Sequence, residues 1–262
     1  MFRIVDRFRH RILYLSCMGV LLACLGPLPA NADDHGAAAT GTVLVTGANR
    51  GLGLEFARQY IDAGWTVIGT ARRPGQADDL AALEAEVLQL DVTDRNSIAA
   101  LAAALDGRAI DMLINNAGIF PRVSEIEAVD PDDYALMLMV NTVGPMLVTQ
   151  ALLPNLRQGT QKRIVNISSR LASIEMNSGG YYGYRESKSA LNMFTKTLAT
   201  ELGPEGFICL AIHPGWVRTD MGGPEADLSP EESVSEMRAV IGSLTADDNG
   251  KYRGYNGDPV AW

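Results

Sequence analysis

Short, continuous apolar runs alternate with longer helical patterns along most of this chain, and this alternation constrains the fold more than any other feature. The apolar runs predict strands at Thr42–Thr46, Thr66–Thr70, Val87–Leu90, Met112–Asn115, Arg163–Ile167 and Ile208–His213. The patterns between them predict helices at Leu52–Ala63, Ser97–Leu105, Pro131–Leu156 and Tyr184–Leu202. Strands that are apolar throughout are covered on both faces, which is typical of a parallel sheet between two helical layers. The sequence therefore predicts an α/β fold with a single Rossmann-type, doubly wound parallel sheet flanked by helices on both faces.

The N-terminal segment, residues 1–32, has the pattern of a secretory leader. A basic start is followed by an apolar run over residues 12–26 and by a small-residue triplet at 30–32. We expect cleavage after this triplet, or lipidation at Cys24 as the second choice, with residues 33–41 forming a tether to the domain. The apolar run is shorter than the ~20 residues that a bilayer span requires. An uncleaved anchor stays open as an alternative.

This leader predicts export to the periplasm of a bacterial host, with a lipid anchor if Cys24 is acylated. Membrane contact is then expected only through the leader. A translation start nearer Thr42 is the alternative, and it would leave the protein in the cytoplasm. In both cases residues 42–262 form one domain, because no Pro/Gly-rich linker and no repeat divides them.

The charge of the chain argues against a nucleic-acid partner. The formal net charge is −9, and the leader itself is basic, so the domain at 42–262 is more acidic than the total. An acidic surface repels phosphate backbones, and no basic cluster offsets it. Nucleic acid is therefore not expected among the partners.

Cysteine and histidine are too sparse and scattered for metal or disulfide chemistry. Cys209 is the one cysteine of the domain, inside an apolar run, so it is expected to be a small buried hydrophobe. His10, His35 and His213 are far apart in the sequence, and we expect His213 to be structural. No metal site is predicted.

A glycine-rich loop, Thr46–Gly53, joins the first predicted strand to the first helix. Gly47 permits the tight turn, Gly51 lets the backbone approach a pyrophosphate, and Gly53 lets the helix press on the sheet. Alone, this loop is weak evidence, because structural glycines in turns produce the same pattern.

Further motifs follow the later strands in order. They are Asn115-Asn116-Ala117-Gly118, Asn141, Val165-Asn166-Ile167-Ser168-Ser169, Tyr184-Arg185-Glu186-Ser187-Lys188 and His213–Thr219. With the G-x-x-x-G-x-G spacing, they resemble the short-chain dehydrogenase/reductase family, and the resemblance runs from Thr42 to Trp262. The long loop before Tyr184 and the closing Gly-Asp-Pro-Val-Ala-Trp resemble the C-factor and sniffer-like carbonyl reductase branch of that family.

The resemblance implies a catalytic tetrad of Asn141, Ser169, Tyr184 and Lys188. Hydride transfer to a carbonyl carbon leaves charge on oxygen, so an acid must lie within hydrogen-bond reach of that oxygen. Tyr184 suits this role, although a free phenol has a pKa of about 10, and Lys188, one turn along, is expected to lower it. Ser169 would donate to the same oxygen, with Ser168 as the competing choice. By resemblance, Asn141 anchors a water between Lys188 and solvent.

Isolated copies of these motifs would mean little. A Tyr-x-x-x-Lys pair arises often as a surface aromatic beside a cation, and an asparagine within a helix is commonly a packing or kink residue.

The resemblance implies cofactor contacts from Gly47, Asn49, Arg50, Gly51, Leu52, Gly53, Arg72, Asp91, Val92, Asn115, Ala117, Gly118, Tyr184, Lys188, Pro214, Val217 and Thr219. For Asp91 the alternative to a cofactor contact is that its side chain only caps the end of the third predicted strand.

The end of the second strand predicts NADP(H) as the cofactor. NAD-specific sites place an acidic residue there, whereas here the strand runs into Arg72 and Arg73 with no acid before Asp78. Arg72 and Arg50 are expected to bind the 2′-phosphate from two sides, since guanidinium groups form paired hydrogen bonds with phosphate oxygens. The alternative is that both arginines are solvated surface charges.

We therefore expect an NADP(H)-dependent carbonyl reductase or alcohol dehydrogenase acting on a small-molecule carbonyl or alcohol substrate. The segment Met221–Ser235 is expected to be a lid over that substrate, and Gly250–Trp262 a last short strand and turn. The resemblance implies a homodimer or homotetramer through the two long helices. A cofactor-binding signalling or sensor protein of C-factor type with little turnover is the main alternative. An epimerase or dehydratase is another, but it would require a larger C-terminal part.

Overall fold

Seven parallel strands form one sheet in the computed structural model, which describes residues 40–262. The predicted leader, 1–32, and most of the tether, 33–41, lie outside the described residues. The strands are β1 Thr42–Val45, β2 Thr66–Ala71, β3 Glu86–Gln89, β4 Met112–Asn115, β5 Arg163–Ile167, β6 Ile208–His213 and β7 Lys251–Gly254. Their order is β3-β2-β1-β4-β5-β6-β7, so the winding reverses between β1 and β4. In such folds ligands bind at this switch point, beyond the carboxyl ends of the strands.

Helices cover both faces of the sheet. They are α1 Gly51–Asp62, α2 Asp78–Ala81, α3 Arg95–Ala104, α4 Pro131–Leu138, α5 Gly144–Gln158, α6 Tyr184–Leu202 and α7 Pro230–Gly242. Val43 and Val45 of β1 pack in one core cluster with α1 and α7, whereas Leu44 packs in a second cluster with α3, α5 and α6. Alternate strand residues therefore face opposite layers, which confirms the predicted doubly wound fold.

The predicted long helix Pro131–Leu156 is wrong as a single α-helix. A π-helical turn, Met139–Val143, separates α4 from α5. Pro145 has no N–H to donate to the carbonyl of Asn141, so the regular α-helical ladder is interrupted at this point. The whole run from α4 to α5 is long and apolar enough to cross a membrane by length and composition, but α5 packs its buried side chains against the sheet.

The predicted lid Met221–Ser235 is also too long. Residues 230–235 belong to α7, where Ser229 caps the helix in a capping box with Glu232 and Val234 is fully buried. Ser-Pro-Glu-Glu is a helix start, with a capping serine, proline in the first turn and acidic residues beside the positive helix end. Because the residues before Ser229 are rich in glycine and proline, the sequence analysis extends the lid over this helix start.

The predicted final strand and turn are confirmed. β7 pairs with β6, and a turn then returns the chain so that Val260 N–H donates to the Tyr252 carbonyl at 3.0 Å. The Trp262 carbonyl accepts from the N–H groups of Ile174 and Glu175, both at 3.1 Å. The tail is thereby joined to the loop that follows β5.

Candidate active site

The glycine loop after β1 has the backbone that a phosphate cradle requires. Gly47 and Gly51 have φ values of +65° and +55°, a region that favours glycine, and a Cβ on Gly53 would collide with the Gly47 carbonyl. Arg50 is the N-cap residue of α1 and makes no side-chain cap bond. The first N–H groups of α1 are therefore available to an anion. Asn49 and Leu52 lie half-buried in the same turn.

Thr46 and Asn116 hold this loop against the end of β4, a role that the sequence analysis missed. The Thr46 hydroxyl accepts from the N–H groups of Asn116 and Ala117, both at 3.0 Å. The Asn116 amide donates to the carbonyls of Thr46 and Gly47 at 2.9 and 3.2 Å. The sequence predicts Asn115 as a cofactor contact, whereas its neighbour Asn116 is the residue that fixes the cradle.

Asn115 links strands inside the sheet. It is 2% exposed, and its amide donates to Asn166 at 2.8 Å and to Thr149 at 3.2 Å. The side chain therefore points into the core, away from the surface where a ribose would lie. The sequence around a strand-end asparagine does not indicate whether its side chain points into the core or toward a bound cofactor.

Gly118 lies where two polar groups converge. A Cβ at this position would be 3.2 Å from Asn141 Oδ1 and 3.6 Å from Lys188 Nζ. A side chain at position 118 would crowd Asn141 and contact Lys188, which glycine avoids. This arrangement brings three predicted site residues together from the loop after β4, the π-helical turn and α6.

Asp91 acts as a strand-end cap, the alternative that the sequence left open. Its carboxylate accepts from the N–H and hydroxyl of Thr93 at 2.9 and 2.7 Å. Burial tends to raise the pKa of Asp91, but these hydrogen bonds and the charge of Arg72 lower it. Arg72 is exposed beside the ends of β2 and β3, on the adenosine side of the predicted cofactor site. Val92 is buried and packs against Gly144.

Arg50 and Arg72 do not point to the same place. The Arg50 guanidinium donates to Asp220 at 2.8 Å, across the cleft, in the loop that follows β6. Thr219 in that loop lies opposite Gly51, whose added Cβ would be 3.5 Å from the Thr219 methyl group. The expectation of a shared position for both arginines is therefore not met in this arrangement.

The other predicted residues of the β6 loop shape its backbone. The carbonyl of Pro214 accepts from Ser233 of α7 at 2.7 Å, and Val217 is buried in a bridge with Leu228. The Thr219 hydroxyl accepts from the Gly222 N–H at 3.1 Å. The loop is thus anchored at its base by α7.

Tyr184 begins α6 and is buried next to Ser169. Burial raises the pKa of Tyr184 to about 12, and hydrogen bonding with the Ser169 side chain opposes that rise. Ser168 has a different environment, since it is 2% exposed and its hydroxyl donates to Asn192 at 2.6 Å. Of the two serines, Ser169 is the one that the structure brings to the phenol.

Lys188 lies one turn after Tyr184 on α6. Its ammonium donates to the Ile167 carbonyl at 2.8 Å and is 6.0 Å from the centroid of the Tyr184 ring. Burial lowers the pKa of Lys188 to about 8. Burial of the phenol outweighs the lowering of the Tyr184 pKa that is expected from Lys188, and the ammonium is turned toward Ile167 in this arrangement.

Asn141 lies in the π-helical turn and is fully buried. Its carbonyl oxygen accepts from Ile119 N–H at 2.9 Å, and its amide donates to the Ile119 carbonyl and the Ser187 hydroxyl, both at 3.0 Å. It therefore ties the chain after β4 to α6. π-Helical turns of this kind are frequent at functional sites.

An aromatic wall next to Tyr184 escaped the sequence analysis. The Phe120 ring lies 4.2 Å from the Tyr184 ring and 5.4 Å from the Tyr181 ring, measured between centroids. The Arg122 guanidinium carbon lies 5.6 Å from the centroid of the Phe120 ring, and the guanidinium donates to the Met221 carbonyl at 2.7 Å. The chain after β4 therefore contacts both the phenol and the start of the β6 loop.

His213 and Cys209 are structural, as expected. The His213 ring accepts from the Gly215 N–H at 3.1 Å, and burial, with the charge of Arg170, lowers its pKa to about 4. Cys209 is fully buried, and burial raises its pKa to about 12. Within residues 40–262, no cluster of three His, Cys, Asp or Glu side chains could hold a metal ion.

Comparisons with known proteins agree with this arrangement. Residues 41–228 match the family model for short chain dehydrogenases. The chain is 45% identical to the C-signal protein of Myxococcus xanthus over 154 residues, which is 58% of this chain and 93% of that protein.

Solved structures share both the fold and much of the sequence. The carbonyl reductase Sniffer of D. melanogaster superposes with a TM-score of 0.81 at 35% identity, over 86% of this chain and 100% of that one. An NADPH-bound carbonyl reductase from chicken fatty liver gives a TM-score of 0.79 at 36% identity, over 84% and 98% of the two chains. The C-signal and Sniffer matches confirm the branch that the motifs resembled. The chain belongs to the short-chain dehydrogenase/reductase family of oxidoreductases.

Proposed function

We propose that this protein is an NADP(H)-dependent carbonyl reductase or alcohol dehydrogenase, which transfers hydride between the nicotinamide and a carbonyl or hydroxyl group of a small molecule. The observation that carries the proposal is the buried Tyr184 phenol beside Ser169, with Lys188 one helical turn away. Similarity to two carbonyl reductases, one of them solved with NADPH, supports the same choice.

The residues around the cleft fit NADP(H). The glycine cradle at Gly47 and Gly51 and the uncapped N-terminus of α1 suit a pyrophosphate. Arg72, exposed and without a hydrogen bond or ion pair among the described residues, suits a 2′-phosphate. NADPH, when bound, supplies the hydride that the carbonyl carbon accepts.

Tyr184 serves as the proton donor in reduction. With a pKa raised to about 12, the phenol stays protonated near neutral pH and has a proton to give to the substrate oxygen. Ser169 donates a hydrogen bond to the same oxygen and helps to place it. The positive charge of Lys188 then stabilises the phenolate that remains after transfer.

Asn141 and Gly118 provide a route by which the proton is replaced. A Cβ at position 118 would crowd Asn141 Oδ1 at 3.2 Å and lie 3.6 Å from Lys188 Nζ, so glycine keeps a side chain away from both groups. A water beside these two groups would connect the ammonium to solvent, and anchoring that water is the role proposed for Asn141. In this proposal Tyr184, Lys188 and Asn141 form one proton path, and Ser169 places the substrate oxygen.

A substrate panel tests the proposal. Aldehydes, ketones and quinones are offered with NADPH, and cofactor oxidation is followed by absorbance. Tyr184→Phe should reduce the rate by about 100-fold or more, since the ring still packs but the transferable proton is gone. Tyr182→Phe, two residues earlier in the same segment, is the matched control and should behave as wild type. Near-normal turnover by Tyr184→Phe would refute the assignment.

The two serines are distinguished in the same assay. Ser169→Ala should cost far more activity than Ser168→Ala, because only Ser169 lies beside the phenol. The reverse order would move the catalytic role to Ser168.

A signalling or sensor protein with little turnover is the second candidate, and similarity to the C-signal protein is compatible with it as well as with an enzyme. Such a protein would bind NADPH with ordinary affinity and leave every carbonyl of the panel unreduced. Measuring NADPH binding beside turnover separates the two candidates. If the wild-type protein binds NADPH but reduces no compound of the panel, the result would favour the sensor.

Assembly and location complete the proposal. Apolar side chains are exposed on α4, α5 and α6, at Leu136, Met146 and Met193, which supports a homodimer or homotetramer through these helices. Met193→Glu should then reduce the mass measured by light scattering to that of a monomer.

For the leader, mass spectrometry of the protein from a bacterial host should find an N-terminus near Asp33 or an acylated Cys24. An intact Met1 on cytoplasmic protein would reject export.

A further inference from the structure

The last strand brings a buried tyrosine to the backbone of Ser169. Tyr252 of β7 pairs with Ala211 of β6, which in turn pairs with Asn166 of β5, so Tyr252 lies two strands from the end of β5. Its side chain is 3% exposed, and its hydroxyl donates to the Ser169 carbonyl. This contact joins residues 83 positions apart in the chain.

Packing around Tyr252 leaves its ring little freedom. The ring lies 5.5 Å from Trp262 and 6.4 Å from His213, between centroids. The hydroxyl is also close enough to Ser168 and Asn192 for their side chains to affect its pKa, which burial raises strongly. Asn192 lies one turn after Lys188 on α6. The phenol is therefore held between the tail, β6 and α6.

The backbone that Tyr252 contacts directs the Ser169 side chain. Ser169 lies beyond the last paired residue of β5 and begins a short 3-10 turn, in which its carbonyl also accepts from Ala172 N–H at 2.8 Å. Its hydroxyl accepts from Leu171 N–H at 3.2 Å. A shift of this peptide would move the hydroxyl relative to Tyr184, and small misplacements of a catalytic group cost rate steeply.

We propose that Tyr252 is a positioning residue for the reaction, which fixes the Ser169 peptide so that the serine hydroxyl faces Tyr184. This inference rests on the proposed function only for its kinetic consequences. It assigns β7 and the tail a part in catalysis that no motif of the chain indicates. Tyr252 itself does not touch the reacting atoms.

A double-mutant cycle tests the proposal. Tyr252→Phe should lower kcat by about tenfold, the loss expected for one misaligned hydrogen bond, and leave NADPH affinity unchanged. In a Ser169→Ala background, Tyr252→Phe should add no further loss, because the group that it positions is gone. Tyr60→Phe is the matched control: Tyr60 is also 3% exposed, and its hydroxyl contacts the Met112 sulfur at 3.5 Å and the Arg238 side chain rather than Ser169. Equal losses from Tyr252→Phe with and without Ser169 would overturn the proposal.

Hydrogen exchange provides a measurement that does not depend on turnover. Tyr252→Phe should speed amide exchange in residues 168–173, relative to wild type and Tyr60→Phe, because the Ser169 peptide loses one of its anchors. Unchanged exchange there would overturn the positioning role even if activity fell. If the wild type reduces no carbonyl, the proposed function fails, and faster exchange in Tyr252→Phe would still support the structural basis of this inference.

Discussion

Arg50 and Asp220 join the two sides of the predicted cofactor cleft. Arg50 precedes α1 and donates to Asp220 of the β6 loop at 2.8 Å. Their side chains are 71% and 80% exposed, so the pair is well solvated and contributes little to stability. A phosphate that bound Arg50 would have to compete with this carboxylate.

Removal of that carboxylate should strengthen NADPH binding. We expect Asp220→Asn to lower the Kd for NADPH several-fold and to leave the Kd for NADH unchanged, because only NADPH carries the competing 2′-phosphate. Fluorescence titration measures both constants. Asp227→Asn, which removes the same charge from an exposed position in the same loop, should have no such effect. Equal tightening of NADH would show that Arg50 does not bind the 2′-phosphate.

Arg72 should determine the preference for NADPH. A charge-assisted hydrogen bond contributes ~1.5–3 kcal/mol, so Arg72→Ala should raise the KM for NADPH by roughly ten- to a hundredfold with little change for NADH. Arg73→Ala, at the next position, which is also exposed, is the control. Comparable losses with both cofactors would contradict the assignment.

The reduction rate should fall as pH rises through about 8. Burial lowers the pKa of Lys188 to about 8, so its stabilising charge is present below that pH and lost above it. Tyr184, with a pKa raised to about 12, keeps its proton over the same range and does not produce the fall. A pH profile of kcat checks the expectation. A rate that stays constant across this range would show that the charge of Lys188 is not needed.

Arg185 should hold the loop that precedes the catalytic tyrosine. It is 6% exposed and donates to the carbonyls of Gly179, Gly180 and Leu171 and to the Ser178 hydroxyl, at 2.9 to 3.3 Å. Arg185→Met should lower the free energy of unfolding by ~2 kcal/mol, because the loop loses its charge-assisted hydrogen bonds to the buried guanidinium.

The same change should raise the KM for the carbonyl substrate more than the KM for NADPH, since the loop adjoins Tyr184 and lies away from the glycine cradle. Arg185→Lys should not restore the loop, because an ammonium cannot replace a planar fork of five donors. Thermal unfolding and steady-state kinetics measure both effects. Full rescue by lysine would show that charge alone is sufficient.

Local patterns in the sequence were enough to predict the fold and the main candidates. Apolar runs, glycine spacing and strand-end motifs each depend on neighbouring residues, so they place Gly47, Ser169 and Tyr184 at one edge of a parallel sheet before any long-range contact is known. The final strand, β7, was predicted for the same reason, because its pattern also depends on neighbouring residues.

Only the tertiary structure decided how these residues are used. The partner of Arg50, the inward orientation of Asn115 and the contact of Tyr252 with Ser169 all join segments far apart in the chain. Strand order and layer packing determine such contacts, and no local pattern records them. The pKa of Tyr184 is the clearest case, because the motif predicted a lowering by Lys188, whereas burial by the surrounding elements raises it.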